Sequence, residues 1–334
     1  MADEYIKKPE QGERMRAFNI ADEVRAAEAR IRPHIRETPL EPSPYLSRMV
    51  GGNVFLKLEN LQITGSFKLR GAMNKFLSLK PEVRRRGIIT ASSGNHGAAC
   101  VYLLNKFDCP GTIFLPENAA EVKIRSLRLY DPDLQFHGTD CIQAETQARH
   151  TARKLGKTFI SPYNDYKVIA GQGTIAVEIH KSLPHVDCVV AAVGGGGLIS
   201  GISGYLKAER PAVHIIGCQP RNSCVMFESV RAGKILDLES QPSLSDATAG
   251  GIEKGSVTLD ICRQYVDDFI LLSEEEIRNG IRSVLEYHHL LVEGGAALTV
   301  AALSKSPGLF RDKTTVLVLS GARISLSALK TILN

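Results

Sequence analysis

The sequence predicts an α/β protein of parallel sheets with helices packed on both faces, and three observations carry that reading. Short apolar runs of strand length alternate with helical stretches along most of the chain. Two glycine-rich turns each stand between an apolar run and a helix start. The alternation also comes in two series, before and after about residue 160, which implies two open sheets and a cleft between them. With 334 residues there is room for both sheets and an ample core.

Residues 1–18 are polar and read as a loose segment. Asn19 is a helix cap with Asp22 and Glu23 in the first turn, and Ile20, Val24, Ala27 and Ile31 follow at helical spacing until Pro33 ends or kinks the helix. Residues 53–59 alternate as a strand does, and a helix from about 66 to 79 would place Lys68 in its first turn. The first series then has strands at 87–91, 111–115, 134–137 and 157–161, with helices at 95–106, 120–130 and 140–155. The second has helices at 171–182 and 198–208 and strands at 187–193 and 213–218. After a glycine-rich stretch at 249–255 come helices near 274–289 and 294–304 and a last strand at 314–319. No fixed-period repeat is visible.

Composition narrows the function. Hydrophobic content of 43% and charged content of 23% are those of an ordinary globular protein. The net charge of +5 is mild, and no basic stripe is interleaved with aromatics, so nucleic acid is not an expected partner. Cys100, Cys109, Cys141, Cys188, Cys218, Cys224 and Cys262 are odd in number and form no CxxC spacing; they read as buried, reduced thiols rather than disulfides or a zinc site. Met1-Ala2-Asp3-Glu4 lacks the apolar stretch of a signal peptide, and no run reaches membrane-spanning length. A cytoplasmic protein with no membrane partner is expected.

Three motifs carry chemistry. Lys68 stands in Thr64-Gly65-Ser66-Phe67-Lys68-Leu69-Arg70-Gly71-Ala72. Ser92-Ser93-Gly94-Asn95-His96-Gly97 follows one apolar run, and Gly194-Gly195-Gly196-Gly197-Leu198 follows another. A turn at the start of a helix offers free backbone N–H groups and the positive end of the dipole, which suit anions. An imine-forming lysine beside a phosphate cradle is the equipment of a pyridoxal phosphate enzyme. Each motif also has a plainer reading. Four glycines could be a tight turn without ligand, although their conformational entropy is costly. The serine-rich turn could be a capped helix start, or could bind a substrate carboxylate with its hydroxyls, amide and N–H groups. Lys68 alone could be a surface charge. Neither G-x-G-x-x-G nor a Walker loop is present. His288-His289 cannot both face one metal from a helix, and Gly201-Ile202-Ser203-Gly204 breaks the nucleophile-elbow pattern.

Taken in order, Gly65-Ser66-Phe67-Lys68-Leu69-Arg70-Gly71-Ala72, Ser92-Ser93-Gly94-Asn95-His96, Val168-Ile169-Ala170-Gly171-Gln172-Gly173-Thr174, Gly194-Gly195-Gly196-Gly197-Leu198 and Ser320-Gly321-Ala322-Arg323 resemble a known family. The chain is similar, from about residue 19 to 326, to the fold type II (tryptophan synthase β-like) pyridoxal phosphate enzymes, in their threonine/serine dehydratase and serine racemase branch. That resemblance implies that Lys68 forms the imine with pyridoxal 5'-phosphate and that Phe67 packs on the cofactor ring. Asn95 would bond the ring's 3-oxygen, Gly251 would face the ring's other side and Ser320 its nitrogen. Glu293 would join the cofactor site, and 194–198 would hold the phosphate. Ser92, Ser93, Gly94 and His96 would surround the substrate carboxylate. Residues 1–86 and 156–334 would form a large cofactor-binding domain, 87–155 a small mobile one, and the enzyme a homodimer or homotetramer.

The reaction implied is β-elimination of water from L-threonine, L-serine or a related β-hydroxy amino acid, followed by hydrolysis to a 2-oxo acid and ammonia. Lys68 would remove the α-proton. The rival reaction is racemisation, with Ser93 protonating the opposite face; a third reading is a binding protein that kept the fold without the chemistry. Departures from the racemases count. Gln219 and Val225 stand where those enzymes carry cation-binding acids, so no metal is expected. Ala249 and Gly250 precede Gly251 where racemases carry an aspartate. The few residues after Ser320 leave no room for the feedback domain of biosynthetic threonine deaminases.

Overall fold

A computed structural model describes residues 19–334, so the loose segment expected at 1–18 lies outside the described residues. Helix α1 (Ile20–Ile31) starts as its sequence dictates, with the Asn19 side chain accepting from the N–H groups of Ala21 and Asp22. Strand β1 (Leu40–Pro42), helix α2 (Pro44–Val50) and strand β2 (Asn53–Lys57) follow. Helix α3 (Lys68–Ser78) begins two residues later than its periodicity suggests. Tertiary pairing is the reason: Ser66 forms a β-bridge with Gly321, and the Phe67 N–H donates to the Ser320 carbonyl. Those backbone groups are therefore committed elsewhere, and the helix starts at Lys68.

After α4 (Pro81–Arg86) the chain runs β3 (Ile88–Ala91), α5 (Asn95–Lys106), β4 (Gly111–Leu115), α6 (Glu121–Arg128), β5 (Asp133–Phe136), α7 (Cys141–Leu155) and β6 (Thr158–Phe159). These four strands form one parallel sheet in the order β5-β4-β3-β6. Side chains alternate across it. Ile88, Ile113 and Leu115 pack toward α3, α5 and α6, whereas Ile89, Ala91 and Phe114 meet Ala144, Ala148 and Ala152 of α7.

The remainder is α8 (Tyr166–Ser182), β7 (Cys188–Ala192), α9 (Gly197–Glu209), β8 (His214–Pro220), α10 (Val225–Ala232), α11 (Val257–Tyr265), β9 (Asp268–Leu272), α12 (Glu274–His288), α13 (Gly294–Lys305), β10 (Thr314–Val318) and α14 (Leu326–Leu333). Helix α8 starts five residues before its expected place because Asp165 caps the N–H groups of Lys167 and Val168. A six-stranded sheet has the order β1-β2-β10-β7-β8-β9, parallel except for β1 against β2. Val189, Ala191, Val316 and Val318 face α1, α8 and α9, and Val190 and Leu317 face α12 and α13. Each fully buried Val, Ile or Leu contributes about 1.5–3 kcal/mol.

One charged cluster is sealed inside this core. Arg70 on α3 donates to both oxygens of Glu59 and both of Glu178, and the Lys57 amine reaches Glu178 as well. Burial pushes the Glu178 carboxyl up, but the neighbouring charges of Arg70 and Lys57 pull it down to about 2. The cysteines are only partly as expected: Cys100, Cys188, Cys218 and Cys262 are buried, Cys109 and Cys224 are half-buried, and Cys141, the first residue of α7, is exposed. No helix among the described residues is long and apolar enough to cross a membrane.

Candidate active site

Three parallel strands end at one cleft of about 550 Å³, the place where open α/β sheets bind ligands. Strand β3 delivers Ser92, Ser93 and Gly94 with Asn95 and His96 at the start of α5; β7 delivers the glycines at the start of α9; β10 delivers Ser320. Phe67 and Lys68 enter from the N-terminus of α3.

The glycines are required by space. A Cβ on Gly195 would lie 2.5 Å from Tyr163 Cγ, and one on Gly197 2.9 Å from Tyr163 Cβ. At Gly194 it would meet Thr248 Cα at 3.0 Å. Gly196 has φ +85° and no room toward Met226. No side chain caps α9, so the backbone N–H groups at 194–198 stay free to donate to an anion.

Lys68 lines the same cleft. Its Nζ donates to the Pro162 carbonyl at 2.9 Å, and burial lowers the amine to about 8, although Glu293 opposes the shift. His96 is 2% exposed, and its Nε2 lies 3.0 Å from the Ile160 carbonyl. A carbonyl only accepts, so Nε2 carries the proton and the buried, unpartnered Nδ1 is a bare lone pair. Burial, with the Lys68 charge adding to it, drives this imidazole down to about 3, so the ring is neutral. A neutral ring with its only N–H so engaged has no donor to offer a carboxylate. Ser92 Oγ accepts from the Gly94 N–H, whereas the Ser93 hydroxyl makes no hydrogen bond among the described residues.

Asn95 joins the two sheet systems. Its Nδ2 donates to both oxygens of Glu293 at 2.8 and 3.0 Å, while its buried Oδ1 has no partner. Glu293 is 3% exposed and also accepts from the Arg323 N–H. Burial raises its carboxyl to about 7, against the hydrogen bond from Asn95. Ser320, 3% exposed, lines the cleft close by.

Gly251 does not line this cleft; it is exposed, with nothing near the place its Cβ would take. The rim on that side is Asp246, Ala247 and Thr248. Hydrogen bonds from Gly250 N–H to Ser223 and from Glu253 N–H to the Tyr163 hydroxyl fix the glycine-rich stretch elsewhere. Sequence reasoning also missed Tyr163, Thr248, Lys123 and Ser126, which stand in unremarkable surface-like or loop patterns. Arg323 was visible at the end of a motif but carried no role. Lys123 pairs with Asp246 at 3.0 Å across the cleft, and Arg149 of α7 pairs with Glu253 at 2.9 Å.

The two positions expected to lack cation ligands are occupied structurally. The Gln219 Oε1 accepts from the Phe227 N–H at the start of α10, and Val225 is buried. Among the described residues no three His, Cys, Asp or Glu side chains are grouped to hold a metal.

The residues present fit pyridoxal phosphate: a buried amine with a lowered pKa, a cradle in which a Cβ on Gly195, Gly196 or Gly197 would collide, and an orphaned amide oxygen at Asn95. A family model described as "Pyridoxal-phosphate dependent enzyme" matches residues 31–321. The chain is 38% identical over 94% of its length, and 78% of the relative's, to the L-threonine ammonia-lyase of Thermotoga maritima. Its fold is similar to the processed form of threonine deaminase isoform 2 from Solanum lycopersicum (TM-score 0.91, 30% identity, covering 98% of this chain and 95% of that one). It is likewise similar to maize serine racemase (TM-score 0.88, 29% identity, covering 94% and 96%).

Proposed function

The chain belongs to the pyridoxal-phosphate dependent enzyme family, and on that premise we propose that it eliminates water from L-threonine, L-serine or a related β-hydroxy amino acid, hydrolysis of the resulting imine then returning that water and releasing ammonia to leave a 2-oxo acid. When bound, pyridoxal phosphate supplies an aldehyde that takes up an amine and a ring that stabilises negative charge at the substrate α-carbon. The observation that carries the reading is the convergence of Lys68, the 194–198 turn, Asn95 and Ser320 on one cleft.

Lys68 is the base. With its amine near 8, roughly a tenth is unprotonated at neutral pH, about two orders of magnitude more than for a lysine in water. That amine would hold the cofactor and, when free, can take the substrate α-proton. The N–H groups at 194–198 would hold the phosphate. Asn95, fixed by Glu293, and Phe67 would hold the ring. Ser320 would offer the ring a hydroxyl, which carries no charge to enforce its protonation. Ser92, Ser93 and Gly94, with the first N–H groups of α5, hold the substrate carboxylate; neutral His96 supports that turn through Ile160.

Serine racemisation is the second reading, and the unengaged Ser93 hydroxyl in the cleft favours it as the opposite-face acid. Engagement of Gln219 as a helix cap supports a cation-independent enzyme. Residues 87–155 are proposed as the small mobile domain, since the contacts that cross the cleft rim are polar. Strand β6, although beyond residue 155, pairs with β3. The exposed Tyr45 and Tyr287 rings, stacked with centroids 3.8 Å apart, support a homodimer or homotetramer. Uniformly free thiols support a reducing, cytoplasmic setting.

The deciding experiment follows the holoenzyme with L-threonine and L-serine, measuring 2-oxo acid and D-enantiomer together. Faster 2-oxo acid release supports elimination; D-serine forming faster than pyruvate would overturn it.

A further inference from the structure

Arg323, three residues beyond Ser320, sends its side chain into the wall of the same cleft. Its Nη2 donates to Ser126 Oγ of α6 at 2.5 Å. It forms no ion pair among the described residues, and none of its other nitrogens is sealed away from solvent without a partner. Every other cation of the site is matched. Lys123 has Asp246, and Lys68 has the Pro162 carbonyl and the field of Glu293. The charge of Glu293 acts on Arg323, yet the Glu293 oxygens are taken by Asn95 Nδ2 and by the Arg323 backbone N–H.

The contrast with Arg70 sharpens the point. Arg70 is fully buried, and its fork is filled by two carboxylates. Arg323 is half-buried with a single neutral partner, and burial lowers its pKa while Glu293 opposes that shift. A partly desolvated guanidinium without a counter-charge is costly unless a ligand brings one, and its planar fork matches a carboxylate.

Two anion sites of the cleft are already assigned, the 194–198 cradle for the phosphate and the Ser92 turn for the α-carboxylate. Arg323 with Ser126 makes a third. We propose that Arg323 selects a β-hydroxy amino acid whose side chain ends in a carboxylate, the shortest being 3-hydroxyaspartate. This rests on the elimination reading and names its substrate class. Lys68 takes the α-proton and hydroxide leaves the β-carbon. Hydrolysis of the resulting imine returns one water, so the net products are oxaloacetate and one ammonia.

The test uses the holoenzyme and its Arg323→Met and Arg323→Lys variants. Specificity constants for 2-oxo acid release are measured with L-serine, L-threonine and the isomers of 3-hydroxyaspartate. Binding of succinate and butyrate, equal in length but differing by one terminal carboxylate, is measured by calorimetry without turnover. Wild type should favour one hydroxyaspartate isomer over L-serine, and succinate over butyrate, by about 10- to 100-fold. Arg323→Met should abolish both preferences, chiefly through KM, and Arg323→Lys should restore part of each. A preference for L-serine or L-threonine, with succinate bound no tighter than butyrate, would overturn the specificity and leave the elimination reading standing. Conversely, an Arg323-dependent succinate preference without 2-oxo acid from any substrate would sustain the carboxylate site and sink that reading. Equal losses on all substrates in Arg323→Met would also overturn the selection, because the residue would then serve the common α-carboxylate or the fold.

Discussion

Asn95 at the start of α5 and Glu293 at the start of α13 are locked together, the amide Nδ2 donating to both carboxylate oxygens at 2.8 and 3.0 Å. The pair ties the four-stranded sheet's first helix to the six-stranded sheet's helix layer and leaves Asn95 Oδ1 without a partner inside the cleft.

This pairing has a pH signature. Burial lifts the Glu293 carboxyl from 4.5 to about 7, so the folded protein binds more protons than the unfolded chain between those values. Stability from this residue is therefore greatest below 4.5 and falls as pH rises through 7, by about 3 kcal/mol. In urea unfolding of the cofactor-free protein, Glu293→Gln should gain on wild type as pH rises from 5 to 8. A difference that stays flat across that range would remove the assigned shift.

Lys68→Ala should eliminate both the visible absorbance of lysine-bound cofactor and 2-oxo acid release, because only an amine forms the imine. The fold should survive, since the amine's hydrogen bond within the protein goes to a single carbonyl, that of Pro162. Far-ultraviolet circular dichroism and turnover check the two halves; substantial residual turnover would exclude Lys68 as the base.

Ser93→Ala separates the two reactions. Elimination requires Lys68 and a departing hydroxide, whereas racemisation needs a proton donor on the second face. The variant should lose D-enantiomer formation and retain dehydration, less about 1–2 kcal/mol if the hydroxyl also bonds the carboxylate. Complete loss of dehydration would assign Ser93 to elimination itself.

Gly195→Ala should weaken cofactor retention by at least about tenfold, because its Cβ would press on the Tyr163 ring from 2.5 Å and displace the cradle. Gly308→Ala is the control, since no atom lies within 4 Å of its new methyl. Titration of the apoprotein with pyridoxal phosphate reads both, and equal affinities would contradict the cradle.

Arg70→Met should cost about 3–5 kcal/mol in urea, because it strands Glu59 in the core with little besides the Thr38 hydroxyl. A loss under 1 kcal/mol would mean that water or rearrangement replaces the guanidinium.

Much of this was legible in the chain itself. Asn19, the apolar runs of β7 and β10, and the four glycines at the start of α9 are local signals, because capping, strand composition and turn geometry act over a few residues. Short elements such as β1, α2, α4, β9 and α11 were not legible, since their stability comes from the neighbours that they pack on rather than from their own pattern.

Position across the cleft was decided by tertiary structure alone. The family resemblance implied Gly251 at the cofactor, and nothing in the sequence gave a role to Ser126 or Tyr163, whereas the fold carries Gly251 to the surface and brings Thr248, Tyr163 and Ser126 to the site. It likewise determined that His96 is neutral with its N–H spent on Ile160, and that Arg323 reaches the cleft without a carboxylate. Residue type fixes what a side chain can donate, accept or ionise. Which partner it meets, and how much water it loses, depends on contacts between segments far apart in the chain.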